Sequence, residues 1–198
     1  MKVYRLLQEA GIDTWLQGGW GIDALLGRQT REHKDLDLLI KVDDVARLLR
    51  LLDTHGFVLK YTWEENRWVV EDGERVPTAF VLGHDDGCEL DFHAARVGGD
   101  DVILPAWSSE LALSPADLGG IGLLDGVPVR CYSAEMQLRV HAGYDLPSYQ
   151  REDVRRLQDV LRDRAVGAVA DDGVVPSDGT PENCRFQPSA VRVAHRGG

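Results

Sequence analysis

The sequence predicts an α+β fold: a mixed, twisted sheet flanked by helices, with a small helical segment at the C-terminal end. Three observations carry that expectation. Residues 14–26 pass from a short β-type run through Gly18-Gly19 into a helical pattern, so a strand and a helix meet at a tight glycine turn. Residues 57–94 break into short apolar runs separated by EEN, EDGE and HDDG, where the DG pairs mark hairpins. Residues 134–164 return to helical spacing in two segments.

Taken in order, Val3, Leu6, Leu7 and Ala10 recur at helical spacing and Gly11 stops them, which predicts a helix over 3–10. Thr14 to Gln17 is a brief strand, Trp20 to Leu26 a helix, and Gly27 its stop. The next strand is His33 to Ile40. Asp43 is placed to cap a helix over 44–55 that buries Val45, Leu48, Leu49 and Leu52 and ends at Gly56. Strands follow at Val58 to Trp63, Arg67 to Val70, Val76 to Leu82 and Cys88 to Ala94. Residues 95–127, rich in Gly, Asp, Pro and Ser, read as loops with a short turn around Pro105 to Leu113. Val127 to Cys131 is a strand, Ser133 caps a helix over 134–144, and a second helix runs from Arg151 to Arg164. That last helix buries Val154, Leu157, Val160 and Leu161, and its charges, Asp153 among them, read as a solvated face. Three regions result: a main domain over 1–127, a helical segment over 128–165, and a flexible tail over 166–198 that lacks the apolar density to pack.

The stretch HKDLDLLI concentrates the chemistry. In a strand, Asp35, Asp37 and Leu39 share one face while Leu36, Leu38 and Ile40 take the other, which a hydrophobic layer can cover. Two carboxylates so close repel unless a cation lies between them, and an all-oxygen donor set suits Mg²⁺. In CELDFHA the same alternation puts Glu89, Asp91 and His93 on one face, so Asp91, with Glu89 second, offers a third carboxylate from another strand. The glycine turn leaves backbone N–H groups at a helix start, so an anion can dock at residues 18–21, taking in Gly18, Gly19 and Trp20. Arg31 and His33, just before the aspartates, are placed for triphosphate contact. Tyr61, Trp63 and Trp68 offer either an aromatic substrate wall or simple sheet filling.

Composition narrows the class. A formal net charge of -11 disfavours nucleic-acid backbone as a partner and favours metal ions and cationic small molecules. Three cysteines, Cys88, Cys131 and Cys184, without a CxxC pair, fit neither a disulfide framework nor a zinc site, and point to the cytoplasm. No run approaches the roughly 20 apolar residues that span a bilayer, so no membrane partner is expected. An open strand edge leaves a homodimer available.

Together GGWGIDALLG, TREHKDLDLLI and ELDFH resemble the antibiotic nucleotidyltransferases, the lincosamide and aminoglycoside adenylyltransferases of the polymerase-beta-like superfamily. The resemblance extends through DGVPVRCYSAEMQLRVHAGYD and covers roughly residues 1–165. It departs from the wider superfamily in having Gly18-Gly19 where a Gly-Ser pair is usual, which leaves more of the phosphate contact to backbone N–H groups. It implies a polymerase-beta-like nucleotidyltransferase fold in which Asp35 and Asp37 ligate Mg²⁺, and Asp91 completes the metal site or takes the acceptor's proton. The implied reaction is attack of an alcohol on the α-phosphorus of ATP or another NTP, with two ions assisting and pyrophosphate leaving. The implied acceptor is a small, amine-bearing antibiotic. HAGYDLP looks more like the lincosamide branch, with Tyr144 and Asp145 able to contact a sugar or amine. Two other readings share these residues: nucleotidylation of a protein or tRNA, as in toxin systems, and a catalytically silent nucleotide-binding module.

Overall fold

A computed structural model describes residues 2–98, 101–103 and 113–167. In chain order the elements are α1 (Lys2–Glu9), β1 (Thr14–Leu16), α2 (Gly18–Leu26), β2 (Asp35–Lys41), α3 (Val45–Asp53), β3 (Val58–Thr62), β4 (Val69–Glu71), β5 (Glu74–Val76) and β6 (Ala79–Gly83). They continue as β7 (Glu89–Gly98), β8 (Asp101–Ile103), β9 (Gly120–Leu124), β10 (Val127–Cys131), α4 (Ala134–Val140) and α5 (Ser148–Gly167). The main sheet is mixed, in the order β3-β6-β7-β2-β1-β10-β9, with β8 paired to β7, while β4 and β5 form a separate hairpin.

The sheet divides the core into two layers. On one face Leu36, Leu38 and Ile40 of β2 and Leu90, Phe92 and Ala94 of β7 pack under α1 and α3, through Leu7, Val45, Leu48 and Leu52. On the other face Leu39 and Ala95 join Trp15, Leu118, Tyr132 and Met136, so the helix α4 and the 3₁₀ turn Pro115–Leu118 cover that side. Burying an aliphatic side chain is worth about 1.5–3 kcal/mol. A one-residue slip of β2 would carry Asp35 and Asp37 into that apolar layer in place of leucines, so the hydrophobic layer fixes which way the two aspartates point.

The expected elements recur with several changes. The strand expected at Val76 to Leu82 is two, β5 and β6, interrupted by Pro77-Thr78, where proline cannot donate to a ladder. The loop expected over 95–127 instead contains the end of β7, β8, the 3₁₀ turn and β9; residues 104–112, including most of the Pro105 to Leu113 turn, lie outside the described residues. Strand β9 buries Gly120, Gly122 and Leu124, and a Cβ on Gly122 would stand 2.3 Å from the Ala24 carbonyl carbon. Glycine is therefore what lets α2 lie on this strand. Asp43 does not cap α3: a 3₁₀ turn, Val42–Asp44, leads into it, and Asp44 pairs with Arg47 instead. Ser133 does cap α4, accepting from the Met136 N–H at 3.1 Å. That helix ends at Val140 rather than 144, with the His141 ring engaging the Gln137 carbonyl at 2.7 Å. Strand β10, which straddles the boundary expected at 127/128, is part of the main sheet. Helix α5 runs through Gly167, and residues 168–198 of the expected tail lie outside the described residues. Among the described residues no helix is long and apolar enough to cross a membrane.

Candidate active site

Strands β2 and β7 are parallel and in register, pairing Asp35 with Glu89, Asp37 with Asp91 and Leu39 with His93. Paired residues on neighbouring strands present side chains to the same face, so four carboxylates form one acidic shelf. Burial, reinforced by the charges of Asp35 and Asp91, pushes the Asp37 carboxyl up to about 7, with Arg31 pulling weakly the other way. Asp91 is raised too, chiefly by burial, although the Trp63 indole N–H opposes the shift by donating to both its oxygens at 3.0 and 3.2 Å. His93 stands between Asp91 and Glu65, its ring nitrogens 3.8 and 3.4 Å from their carboxylates. Lys60 pairs with Glu89.

Helix α2 begins directly against this shelf. Gly18 has φ +54°, and a Cβ there would stand 2.1 Å from Asp37 Oδ2. Gln17, at the N-cap, makes no side-chain capping bond, so its side chain leaves the first N–H groups of α2 uncapped, and Gly18 and Gly19 line a cavity. A Cβ on Gly19 would meet the His33 ring at 2.4 Å and Arg31 Nη2 at 2.6 Å, so both side chains close over this turn. Each is held from behind by a buried acid. His33 Nε2 lies 2.6 Å from Asp23 Oδ2, while the Thr30 hydroxyl donates to Asp23 Oδ1 at 2.6 Å. Arg31 Nε and Nη2 donate to Asp153 Oδ2 at 2.9 and 2.8 Å.

The resulting cavity, about 350 Å³, is lined by Gly18, Gly19, Arg31, His33, Asp35 and Asp37, with Tyr149 and Gln150 arriving from α5. A second cavity of about 180 Å³ also reaches Asp37, lined by Gln17, His93, His141 and Tyr144 among others. Gly18, Asp37 and Gln150 border both. The arrangement sets an anion-receptive helix start and a smaller polar cavity against one carboxylate cluster.

The structure brings Asp35, Asp37, Asp91, Glu89, Gly18, Gly19, Arg31 and His33 to one region. Trp20 contributes differently from the expected anion contact: it lines neither cavity and packs on His33, ring centres 4.7 Å apart. Tyr144 borders the second cavity, but Asp145 is exposed and borders neither. Asp153 is not solvated as its helix pattern implied; it is 1% exposed and bound to Arg31. Tyr61 meets Trp63 edge-on, whereas Trp68 stacks with Arg75, so the three aromatic residues do not form one wall. Sequence reasoning missed Gln17, Asp23, His141, Tyr149 and Gln150. The first directly precedes the glycine pair and the last two sit just after HAGYDLP, which were the available signals.

As a donor set, Asp35, Asp37 and Asp91 fit a hard divalent cation: all-oxygen, adjacent, and with Asp37 lifted to about 7 by burial first and by its two neighbours' charges second. In the observed rotamers, no three His, Cys, Asp or Glu side chains among the described residues are gathered closely enough to hold an ion. Asp91 is turned to Trp63.

A family model described as aminoglycoside-2''-adenylyltransferase matches residues 1–157. The lincosamide resistance protein of Staphylococcus haemolyticus is 26% identical over 167 residues, 78% of this chain and 89% of its own. The 2''-aminoglycoside nucleotidyltransferase of Escherichia coli is 27% identical over 143 residues, 68% of this chain and 66% of its own. Among solved structures, a lincomycin-bound lincosamide antibiotic adenylyltransferase superposes with a TM-score of 0.67 at 24% identity, covering 80% of this chain and 94% of that one. ANT(2'')-Ia in complex with adenylyl-2''-tobramycin gives 0.58 at 24% identity, covering 85% and 90%. The α+β fold is thus shared with nucleotidyltransferases.

Proposed function

The chain belongs to the aminoglycoside-2''-adenylyltransferase family of antibiotic nucleotidyltransferases, and we propose that it moves AMP from ATP to a hydroxyl of a small, amine-bearing lincosamide or aminoglycoside, releasing pyrophosphate. The observation that carries this reading is the in-register pairing of Asp37 with Asp91 directly beside the open N-terminus of α2. Triphosphate binds in the larger cavity, where the first N–H groups of α2 and Arg31 supply donors and the His33 ring closes over the glycine turn. The acceptor enters from the smaller cavity bordered by His93, His141 and Tyr144, so the α-phosphorus and the hydroxyl meet at Asp37. Asp35, Asp37 and Asp91 would hold Mg²⁺, two ions for three carboxylates. When bound, Mg²⁺ relieves the repulsion among these acids and stabilises charge developing on the phosphate oxygens.

Asp91 has a further task. Its carboxyl lies above the ordinary range, which suits it to take the proton as the hydroxyl oxygen bonds to the α-phosphorus and the bond to pyrophosphate breaks. Acidic residues around the shelf, Glu65 and Glu89 included, favour a cationic acceptor over a nucleic acid. A cytoplasmic location accompanies this reading, since ATP is the donor.

The test is pyrophosphate release from Mg-ATP and Mg-GTP against a panel of lincosamides and aminoglycosides, with mass spectrometry of the antibiotic. The expected product is an antibiotic heavier by one AMP. An adduct on protein or tRNA instead would move the acceptor to a macromolecule, and Mg-ATP binding without pyrophosphate over the whole panel would make the chain a silent nucleotide-binding module.

A further inference from the structure

We propose that Asp153, on the C-terminal helix, is a positioning residue of the nucleotide site: it aims the Arg31 guanidinium at the Gly18-Gly19 turn, where the triphosphate is held. This deepens the function proposed above and rests on it.

Arg31 is restrained on nearly every side. Nε and Nη2 donate to Asp153 Oδ2, Nη1 donates to the Glu32 carbonyl at 2.9 Å, and the guanidinium carbon lies 4.8 Å from the centre of the Tyr149 ring. The Nη2 edge abuts the position a Gly19 Cβ would take, which places this cation at the start of α2. A long side chain that loses its rotamer freedom before the ligand arrives has less to lose on binding.

The tie is also costly in a way a purely structural one need not be. Asp153 is almost fully buried, and its Oδ1 has no hydrogen-bond partner. Removing a carboxylate from water with one oxygen unpaired is unfavourable, and an apolar pair would join α5 to the turn at least as well. What the charge adds is direction, because a carboxylate orients a guanidinium fork. Helix α5 further supplies Tyr149 and Gln150 to the same cavity. The C-terminal helix is therefore a working wall of the nucleotide site, and its placement and nucleotide occupancy are coupled through Arg31.

The experiment is calorimetric titration of Mg-ATP into wild type, Asp153→Asn, Arg31→Ala, Arg31→Lys and the Arg31→Ala/Asp153→Asn double variant, with thermal midpoints for each. Asp153→Asn is expected to weaken Mg-ATP about tenfold, and the double variant to bind no worse than Arg31→Ala alone. The KM for ATP should rise by the same factor while the KM for the antibiotic stays fixed. Arg31→Lys, which keeps the charge but loses the fork, should bind as weakly as Asp153→Asn, and this decides the matter if Asp153→Asn does not fold. Unchanged Mg-ATP affinity in Asp153→Asn, or losses that multiply in the double variant, overturns the positioning role. Absence of Mg-ATP binding by wild type overturns both this role and the proposed function. Normal nucleotide affinities without any antibiotic product overturn only the acceptor reading.

Discussion

The two sides of Asp37 differ in how their charge is balanced. On the side of the larger cavity, Arg31 is backed by buried Asp153 and His33 by buried Asp23, so both side chains are fixed by acids of the same chain. On the shelf itself, Asp35, Asp37 and Asp91 crowd one another, and burial together with that crowding lifts the Asp37 carboxyl to about 7. In the proposed function, recognition is organised in advance, whereas the reacting centre is left wanting a cation. Such a division suits an enzyme whose substrate arrives with its own divalent ion, because the centre gains balance only when that complex binds.

The largest test of this contrast is pH. A carboxyl whose folded value is raised holds its proton more tightly when folded, so its contribution to stability falls as pH rises from the ordinary carboxyl value, near 4, through about 7. Asp91, also raised, acts in the same direction, while Asp13, Asp86 and Asp117, held low by their partners, act only below that window. Urea unfolding of the metal-free protein at pH 5 and pH 8 should show a loss on the order of 3 kcal/mol at most from Asp37. Most of that difference should vanish in Asp37→Asn. Equal stability at both pH values in wild type would mean that the shelf is already compensated.

Gly18→Ala comes next, since its Cβ would collide with the Asp37 carboxylate at a backbone φ of +54°. Displacing a reacting group by about an ångström costs about 100-fold in turnover, and kcat should fall by at least that much in folded protein. A smaller effect is expected of Trp63→Phe, which keeps the ring but deletes the indole N–H on Asp91. Because that donor lowers Asp91, the acidic limb of the rate profile should move to higher pH, with about a tenfold loss below neutrality. At the other extreme, Arg155 belongs to an exposed ladder with Glu152 and Asp159 on α5. Arg155→Ala should leave both the thermal midpoint and the rate unchanged; a substantial loss would mean that the outer face of α5 matters as much as its buried Asp153.

What the sequence revealed follows from how local each signal is. Asp35, Asp37 and Asp91 were legible because each alternates with aliphatic or aromatic neighbours that the sheet buries, and two strands of that pattern align once their apolar faces do. Strand β9 was hidden because Gly120 and Gly122 occupy its buried positions and erase the apolar alternation. Asp153 was misread for a different reason. Its partner lies 122 residues away, and within its own helix it is one of many alternating charges. The glycine turn was visible as a turn, but its contact with Asp37 is a fact of β1 and β2 lying side by side. Asp145 lies apart from both cavities because residues 142–145, between His141 and α5, are exposed, while Tyr144 still borders the smaller cavity.

The central claim is that Asp37 stands where nucleotide and acceptor meet and that its charge is needed for reaction rather than for folding. Pyrophosphate release from Mg-ATP with a lincosamide or aminoglycoside acceptor, measured on wild type and Asp37→Asn beside their unfolding curves at pH 8, tests it most directly. The account predicts that the variant loses at least about 1,000-fold in turnover and unfolds at higher urea than wild type. A variant that turns over at the wild-type rate would contradict it.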